Sequence, residues 1–146
     1  MLYLIRGLPG SGKTTFALNY FKGIMHIEND MFHMITSAKD VNHCEYRFDN
    51  ALSNERSMNC FYTAMKILEY NIPVVVSNVF PTIHSINRYV YGARELGQET
   101  KVFRMISKYE NQHNVPKDVI KSMADIFTNY DGEYIVNFIN GKYIIE

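Results

Sequence analysis

No charge of either sign is in excess: fifteen lysines and arginines face fifteen acidic side chains in a chain of 146 residues. A neutral chain has no global field to draw it toward nucleic acid or an anionic membrane. A tight polynucleotide-binding role is therefore not favoured, although a local basic cleft can exist on a neutral protein. Cysteine is scarce. Cys44 and Cys60 make neither a disulfide framework nor a metal site and read as free thiols in a reducing compartment. His26, His33, His43, His84 and His113 lack the spacing of metal ligands. No apolar run approaches the roughly 20 residues of a membrane span. Arg6 and a glycine-rich run follow the first residues too closely for a signal peptide, so the cytoplasm is the expected compartment. Repeats, low-complexity tracts and long linkers are all missing. What remains is one domain over residues 1–146, of a length that buries about 68–70% of its unfolded surface and needs no staple. Hydrophobic residues at 47% and charged residues at 21% suit a soluble globular protein.

The pattern that is present alternates strand and helix. Residues 2–5 are a short apolar run ending at Gly7, which reads as a buried strand. Residues 13–21 read as a helix with Phe16, Ala17 and Tyr20 in period, stopped by Gly23. A short strand is expected over 25–28 and one or two helical turns over 31–35. Residues 36–50 are polar and irregular and read as a loop or flap. A helix over about 51–70 carries Met58, Phe61, Tyr62, Met65 and Leu68 on a core-facing stripe. Pro73-Val74-Val75-Val76-Ser77 is the clearest strand, its β-branched run suited to burial on both faces of a parallel sheet. Further elements follow: a helix from Pro81-Thr82 to the Gly97 cap with Ile83, Ile86, Val90, Ala93 and Leu96 in period, a strand over 101–106, and a helix from Pro116 to about residue 128 with Val119, Ile120, Met123 and Phe127 on its apolar face. Residues 131–146 differ. Two strand patterns flank Asn140-Gly141, a type I′ hairpin signal, which fits an edge addition or an oligomer contact. The whole predicts a doubly wound, mostly parallel α/β domain of the P-loop NTPase kind with a C-terminal β-hairpin.

Gly7-Leu8-Pro9-Gly10-Ser11-Gly12-Lys13-Thr14 matches G-x-x-x-x-G-K-[ST] in full, after a strand and before a helix. The glycines let successive backbone N–H groups face a phosphate, and the following helix points its positive end at the same anion. Lys13 supplies a mobile charge to the β- and γ-phosphates, and the Thr14 hydroxyl takes a place on Mg²⁺. Asp30, just after the second strand, belongs at the ligand-binding edge of such a sheet. It can take an acceptor hydroxyl's proton or merely cap the turn beginning at Met31, and the residues alone leave both open. Glu28 is a weaker rival for the first role. Ser77 and Asn78 end the central strand at the same edge, where either could bond a phosphate, a Mg²⁺-bound water or the acceptor. Arg47, Arg88, Arg94, Arg104 and Lys108 are candidates to neutralise transition-state charge, of which one or two are needed.

From residue 2 to about residue 123 the chain resembles small P-loop kinases related to the 5′-kinase domain of phage polynucleotide kinase, and more closely their single-domain ATP-binding relatives in bacteria and phages. The segments that carry the resemblance are Arg6 through Thr15, His26-Ile27-Glu28-Asn29-Asp30-Met31-Phe32, Glu45-Tyr46-Arg47-Phe48-Asp49, Val75-Val76-Ser77-Asn78-Val79-Phe80, and Asn111-Gln112-His113-Asn114-Val115-Pro116. The resemblance implies that Asp30 is the general base, that Lys13 and Thr14 with Gly7, Leu8, Pro9, Gly10, Ser11, Gly12 and Thr15 hold ATP·Mg²⁺, and that the segment before Pro116 is a lid. It makes Asp30, His33, Arg47 and Asn78 the substrate-side positions. His33 stands where polynucleotide kinase has an arginine for the substrate phosphate. Asn78 stands in place of an aspartate, and Asn114 in place of the relatives' glycine. Lys108 is the cation nearest to a missing lid arginine. The expected activity is ATP-dependent phosphotransfer to a hydroxyl on a nucleic acid 5′-end, a nucleotide or nucleoside, or a small molecule; the alternative is an ATP-binding regulatory or interaction module with weak or no catalysis.

Overall fold

A computed structural model describes residues 1–37, 40–108 and 115–146, with 35–37 and 40–44 described by backbone alone. The elements run β1 (Leu2–Arg6), α1 (Lys13–Tyr20), β2 (Met25–Ile27), a 3-10 turn (Asn29–His33), β3 (Met34–Ser37), β4 (Asp40–Tyr46), α2 (Ser53–Glu69), β5 (Val74–Ser77), α3 (Ile83–Glu95), β6 (Thr100–Met105), α4 (Lys117–Asp125), β7 (Tyr134–Ile139) and β8 (Lys142–Ile145). A six-stranded sheet has the order β2-β5-β1-β6-β7-β8. All of its pairings are parallel except that of β7 with β8.

Side-chain alternation builds the two faces. Leu2 and Leu4 of β1 and Val74 and Val76 of β5 pack with Cys60, Ala64 and Leu68 of α2 and Ile86, Tyr89 and Ala93 of α3. Ile5 and Val75 point the other way, into a cluster with Phe16 and Ala17 of α1, Phe103, Met105 and Val136. Helices on both faces of a parallel sheet require strands that are apolar throughout, which is why β5 is buried at every position. Each fully buried aliphatic side chain contributes about 1.5–3 kcal/mol relative to exposure. The order places β2, β5 and β1 side by side with their carboxyl ends aligned. Glu28, Asn78 and Gly7 therefore emerge at one edge of the sheet, the edge where open α/β sheets bind ligands.

Several expectations need correction. Within 36–50 the loop expectation fails for the strand residues: β3 and β4 pair antiparallel from Met34 opposite Tyr46, with a register shift at Thr36 and Ser37, while residues 47–49 have no regular structure. A two-stranded ribbon outside the main sheet needs no continuous apolar face, so its polar composition reads as loop. The helical turns expected over 31–35 begin earlier, at Asn29, and give way to β3 at Met34. The buried stripe of α2 is Cys60, Ala64 and Leu68, with Phe61 and Met65 beside it, while Tyr62 and Met58 are exposed. The small residues win the contact because they let the helix approach the sheet closely. Tyr20 of α1 and Ile83 and Leu96 around α3 are exposed as well. The helix expected to reach residue 128 ends at Asp125, and none of its residues is buried. Phe127 lies beyond it, covered by the guanidinium groups of Arg6 and Arg104 at 4.1 and 4.9 Å from the ring centre. The hairpin is an edge addition: β7 extends the main sheet, Asn140 and Gly141 both take the positive φ of a type I′ turn, and Tyr143 and Ile145 pack on the α1 side.

Candidate active site

The loop between β1 and α1 is built by two glycines with different tasks. A Cβ on Gly7 would come within 2.9 Å of the Met105 carbonyl oxygen and 2.4 Å of Ser11 Oγ, so only glycine lets the loop pass this close to β6. Gly12 caps α1 with φ 85°, a left-handed conformation that a side chain disfavours. The loop thus leaves its strand, turns, and starts α1 with no side-chain cap. The first N–H groups of the helix remain available to an anion. Ser11 Oγ is buried within the loop and makes no hydrogen bond among the described residues.

Lys13 folds back over this loop, its Nζ donating to the Leu8 carbonyl at 3.0 Å. Part of its side chain is exposed, but the ammonium itself is enclosed. That burial lowers its pKa to about 8, against the pull of Glu28 and Asp30. Thr14 Oγ1 donates to Glu28 Oε2 at 2.9 Å. The same carboxylate oxygen accepts from Ser77 Oγ at 3.0 Å, and His26 Nε2 lies 2.6 Å from Ser77 Oγ and 3.8 Å from Glu28 Oε2. Burial pushes the His26 imidazole below its usual pKa, opposed by Glu28.

Asp30 lies inside the 3-10 turn rather than before it. The residue preceding the turn is Glu28, whose side chain makes no cap bond. Tyr46 donates its hydroxyl proton to Asp30 Oδ1 at 3.3 Å, and burial together with the Asp30 charge pushes that phenol up to about 12. Asn78 Oδ1 accepts from the Asn29 N–H at 2.8 Å, tying the end of β5 to the acidic turn, while its amide reaches Cys60 Sγ at 3.8 Å. His33 is buried, at 3% exposed, with its ring 4.9 Å from that of Phe48. Burial, then the nearby Arg56 charge, lower its pKa. The Arg47 backbone N–H donates to the His33 carbonyl at 2.9 Å, but its side chain is exposed and pairs with Glu45 at 3.5 Å. Of the other candidate cations, Arg88 covers the Phe61 ring, Arg94 the Tyr91 ring and Arg104 the Phe127 ring. Lys108 is exposed. The segment 111–114 lies outside the described residues, as do the side chains of His43 and Cys44.

Lys13, Thr14, Glu28, Asp30 and Asn78 are thus brought to one edge, His33 sits in the same turn as Asp30 with its ring 5.9 Å from that of Tyr46, and Arg88, Arg94 and Arg104 make their ring contacts elsewhere. Glu28 and His26 are the residues whose part the sequence understated. Their alternation along β2, with Ile27 between them turned into the core, was the available signal, since residues two apart on a strand share a face.

Comparison with known proteins agrees with this architecture. No protein-family model matches the chain. An uncharacterized protein of Pasteurella multocida (strain Pm70) is 29% identical over 133 residues, covering 84% of this chain and 73% of that one. A sugar kinase from Janibacter sp. HTCC2649 superposes with a TM-score of 0.61 at 14% identity, over 93% of this chain and 84% of the kinase. A chain of the Pnkp1/Rnl/Hen1 RNA repair complex superposes with a TM-score of 0.62 at 14% identity, over 86% of this chain and 43% of its own length. The fold is P-loop kinase-like. Open α/β sheets bind ligands outside the carboxyl ends of their strands, which is where the geometry above converges. Among the described residues no group of three or more His, Cys, Asp or Glu side chains could hold a metal by itself, and no helix is long and apolar enough to cross a membrane.

Proposed function

We propose that residues 1–146 form one P-loop kinase-like domain that binds ATP·Mg²⁺ and transfers the γ-phosphate to a hydroxyl acceptor. One observation supports the reading: the loop that carries the full G-x-x-x-x-G-K-[ST] sequence joins β1 to α1, and two carboxylates, Glu28 and Asp30, act on the Lys13 ammonium. In this reading the backbone N–H groups of the loop and Lys13 hold the phosphates, and Asp30 accepts the acceptor's proton. Little covalent chemistry is asked of the chain, since phosphoryl transfer rests on positioning and charge stabilisation. A Mg²⁺ ion fits the residues present: the Thr14 hydroxyl and the carboxylates beside it are hard oxygen donors, too few for a protein-only cage, as expected for an ion shared with substrate phosphates. Thr14 and Glu28 would hold the ion, which would supply charge neutralisation at the phosphates.

A specific observation also favours the second reading, a nucleotide-dependent interaction module with weak or no catalysis. Arg6, Arg47, Arg56, Arg88, Arg94 and Arg104 each have a contact away from the loop, so the described contacts bring no arginine to Lys13. A transfer screen with γ-labelled ATP against oligonucleotides, nucleosides and mixed metabolites separates the two. Labelled product that disappears in Lys13→Ala, and falls about 10²–10⁴-fold in Asp30→Asn with ATP binding retained, supports the kinase. Full activity in Asp30→Asn removes the base assignment. Background turnover with every acceptor, alongside ATP-dependent binding of a protein partner, establishes the module instead.

A further inference from the structure

The γ-phosphate's metal ion in P-loop proteins is held by the loop's Ser or Thr together with an acidic residue from a neighbouring strand. Here β5, the strand beside β1, ends in Ser77 and Asn78, neither of which carries charge. We propose that Glu28, brought from the end of β2, is the carboxylate that positions this ion, and that it acts through the Thr14 hydroxyl, with Ser77 and His26 holding it in place. The inference rests on the reading of the loop as an ATP·Mg²⁺ site.

Thr14 and Ser77 direct hydrogens to Glu28, and the tautomer of His26 with its hydrogen on Nε2 completes the group. Ser77 has one hydroxyl proton and gives it to Glu28 Oε2 at 3.0 Å. His26 Nε2, 2.6 Å from the same hydroxyl, therefore carries a hydrogen and donates it to Ser77 Oγ. Thr14 likewise gives its proton to Glu28 Oε2, at 2.9 Å. A hydroxyl whose proton is committed to a carboxylate turns its lone pairs away from that carboxylate, and lone pairs are what a cation requires. The chain His26, Ser77, Glu28, Thr14 thus sets the orientation of a ligand oxygen, the task that partners of metal ligands perform in general. It also places a negative charge beside the phosphates, which favours ATP when metal accompanies it and disfavours ATP without metal.

Calorimetry of ATP binding in millimolar Mg²⁺ and in EDTA tests this, with thermal melting as the check on folding. In the unaltered protein Mg²⁺ should tighten ATP binding. In Glu28→Gln that gain should shrink by about tenfold or more, while metal-free ATP binds equally or more tightly, an outcome that a merely structural glutamate would not produce. A folded Glu28→Gln protein with the full Mg²⁺ gain overturns the assignment and leaves the P-loop reading intact. Absence of ATP binding to the unaltered protein in either buffer overturns both. Should Glu28→Gln fail to fold, Ser77→Ala removes one of the two hydroxyls holding Glu28. Its Mg²⁺ gain should fall about threefold, and an unchanged gain counts against the proposal.

Discussion

Two charged clusters flank the end of β1, and they are built on opposite plans. In the first, Arg6 is wholly buried and spends its donors on Glu133 at 2.8 Å, the Phe80 carbonyl at 3.1 Å and the Thr128 carbonyl at 2.8 Å. Glu133 also accepts from Arg104 and from the Tyr130 N–H. Every partner is protein, and the cluster clamps the segment after α4 onto the sheet. In the second, Lys13 holds only a loop carbonyl in the hydrogen bonds described, its charge is weakened by burial, and Ser11 Oγ makes no bond among the described residues. A closed cluster stabilises a fold. The second, with an ammonium beside two carboxylates at the start of α1, is the cluster to which the proposed ATP·Mg²⁺ site is assigned.

The sharpest way to break this comparison is to remove one member of each cluster. Glu133→Ala strands two guanidinium groups around a buried site and should cost about 3–5 kcal/mol of stability in chemical denaturation. Lys13→Ala should cost less than about 1 kcal/mol, because one part-buried hydrogen bond is lost while a charge that burial disfavours is removed with it. Equal costs would mean that the loop cluster is as structural as the other. Gly7→Ala tests the close approach of the loop: with the Met105 backbone 2.9 Å from the new Cβ, a loss of about 1–3 kcal/mol is expected, together with weakened ATP binding. A loop that absorbs the methyl group freely is not held as tightly as the packing requires.

The smallest effect concerns pH. With a ligand-free pKa of about 8, the Lys13 ammonium is charged near neutrality and discharges above that value. A bound polyphosphate favours the charged form, so the Lys13 pKa rises on binding and the lysine takes up a proton as the complex forms. Affinity should be flat below about pH 7 and fall as pH rises past 8, by at most about tenfold per unit. Calorimetry in buffers of different ionisation heat reads the proton uptake directly, and pH-independent affinity between 7 and 9 would show that the lysine stays charged in the free loop.

The sequence by itself determined the sheet's central strands and the loop between them. Val74 to Val76 could be read as a doubly buried strand because burial on two faces leaves an uninterrupted apolar run, and Gly7 to Thr14 could be read because its chemistry is local and contiguous. The Asn140-Gly141 turn was legible for the same reason. Only the tertiary structure decided that the polar stretch after Met34 forms a paired ribbon, that α2 turns Cys60 and Ala64 inward instead of Tyr62, that Phe127 serves as a platform for two arginines, and that Thr14, Glu28, Ser77 and His26 meet. Each of these depends on which residues from separate strands arrive at the same place. Parallel order β2-β5-β1 sets that, and it is fixed by packing between distant segments rather than by any pattern along the chain.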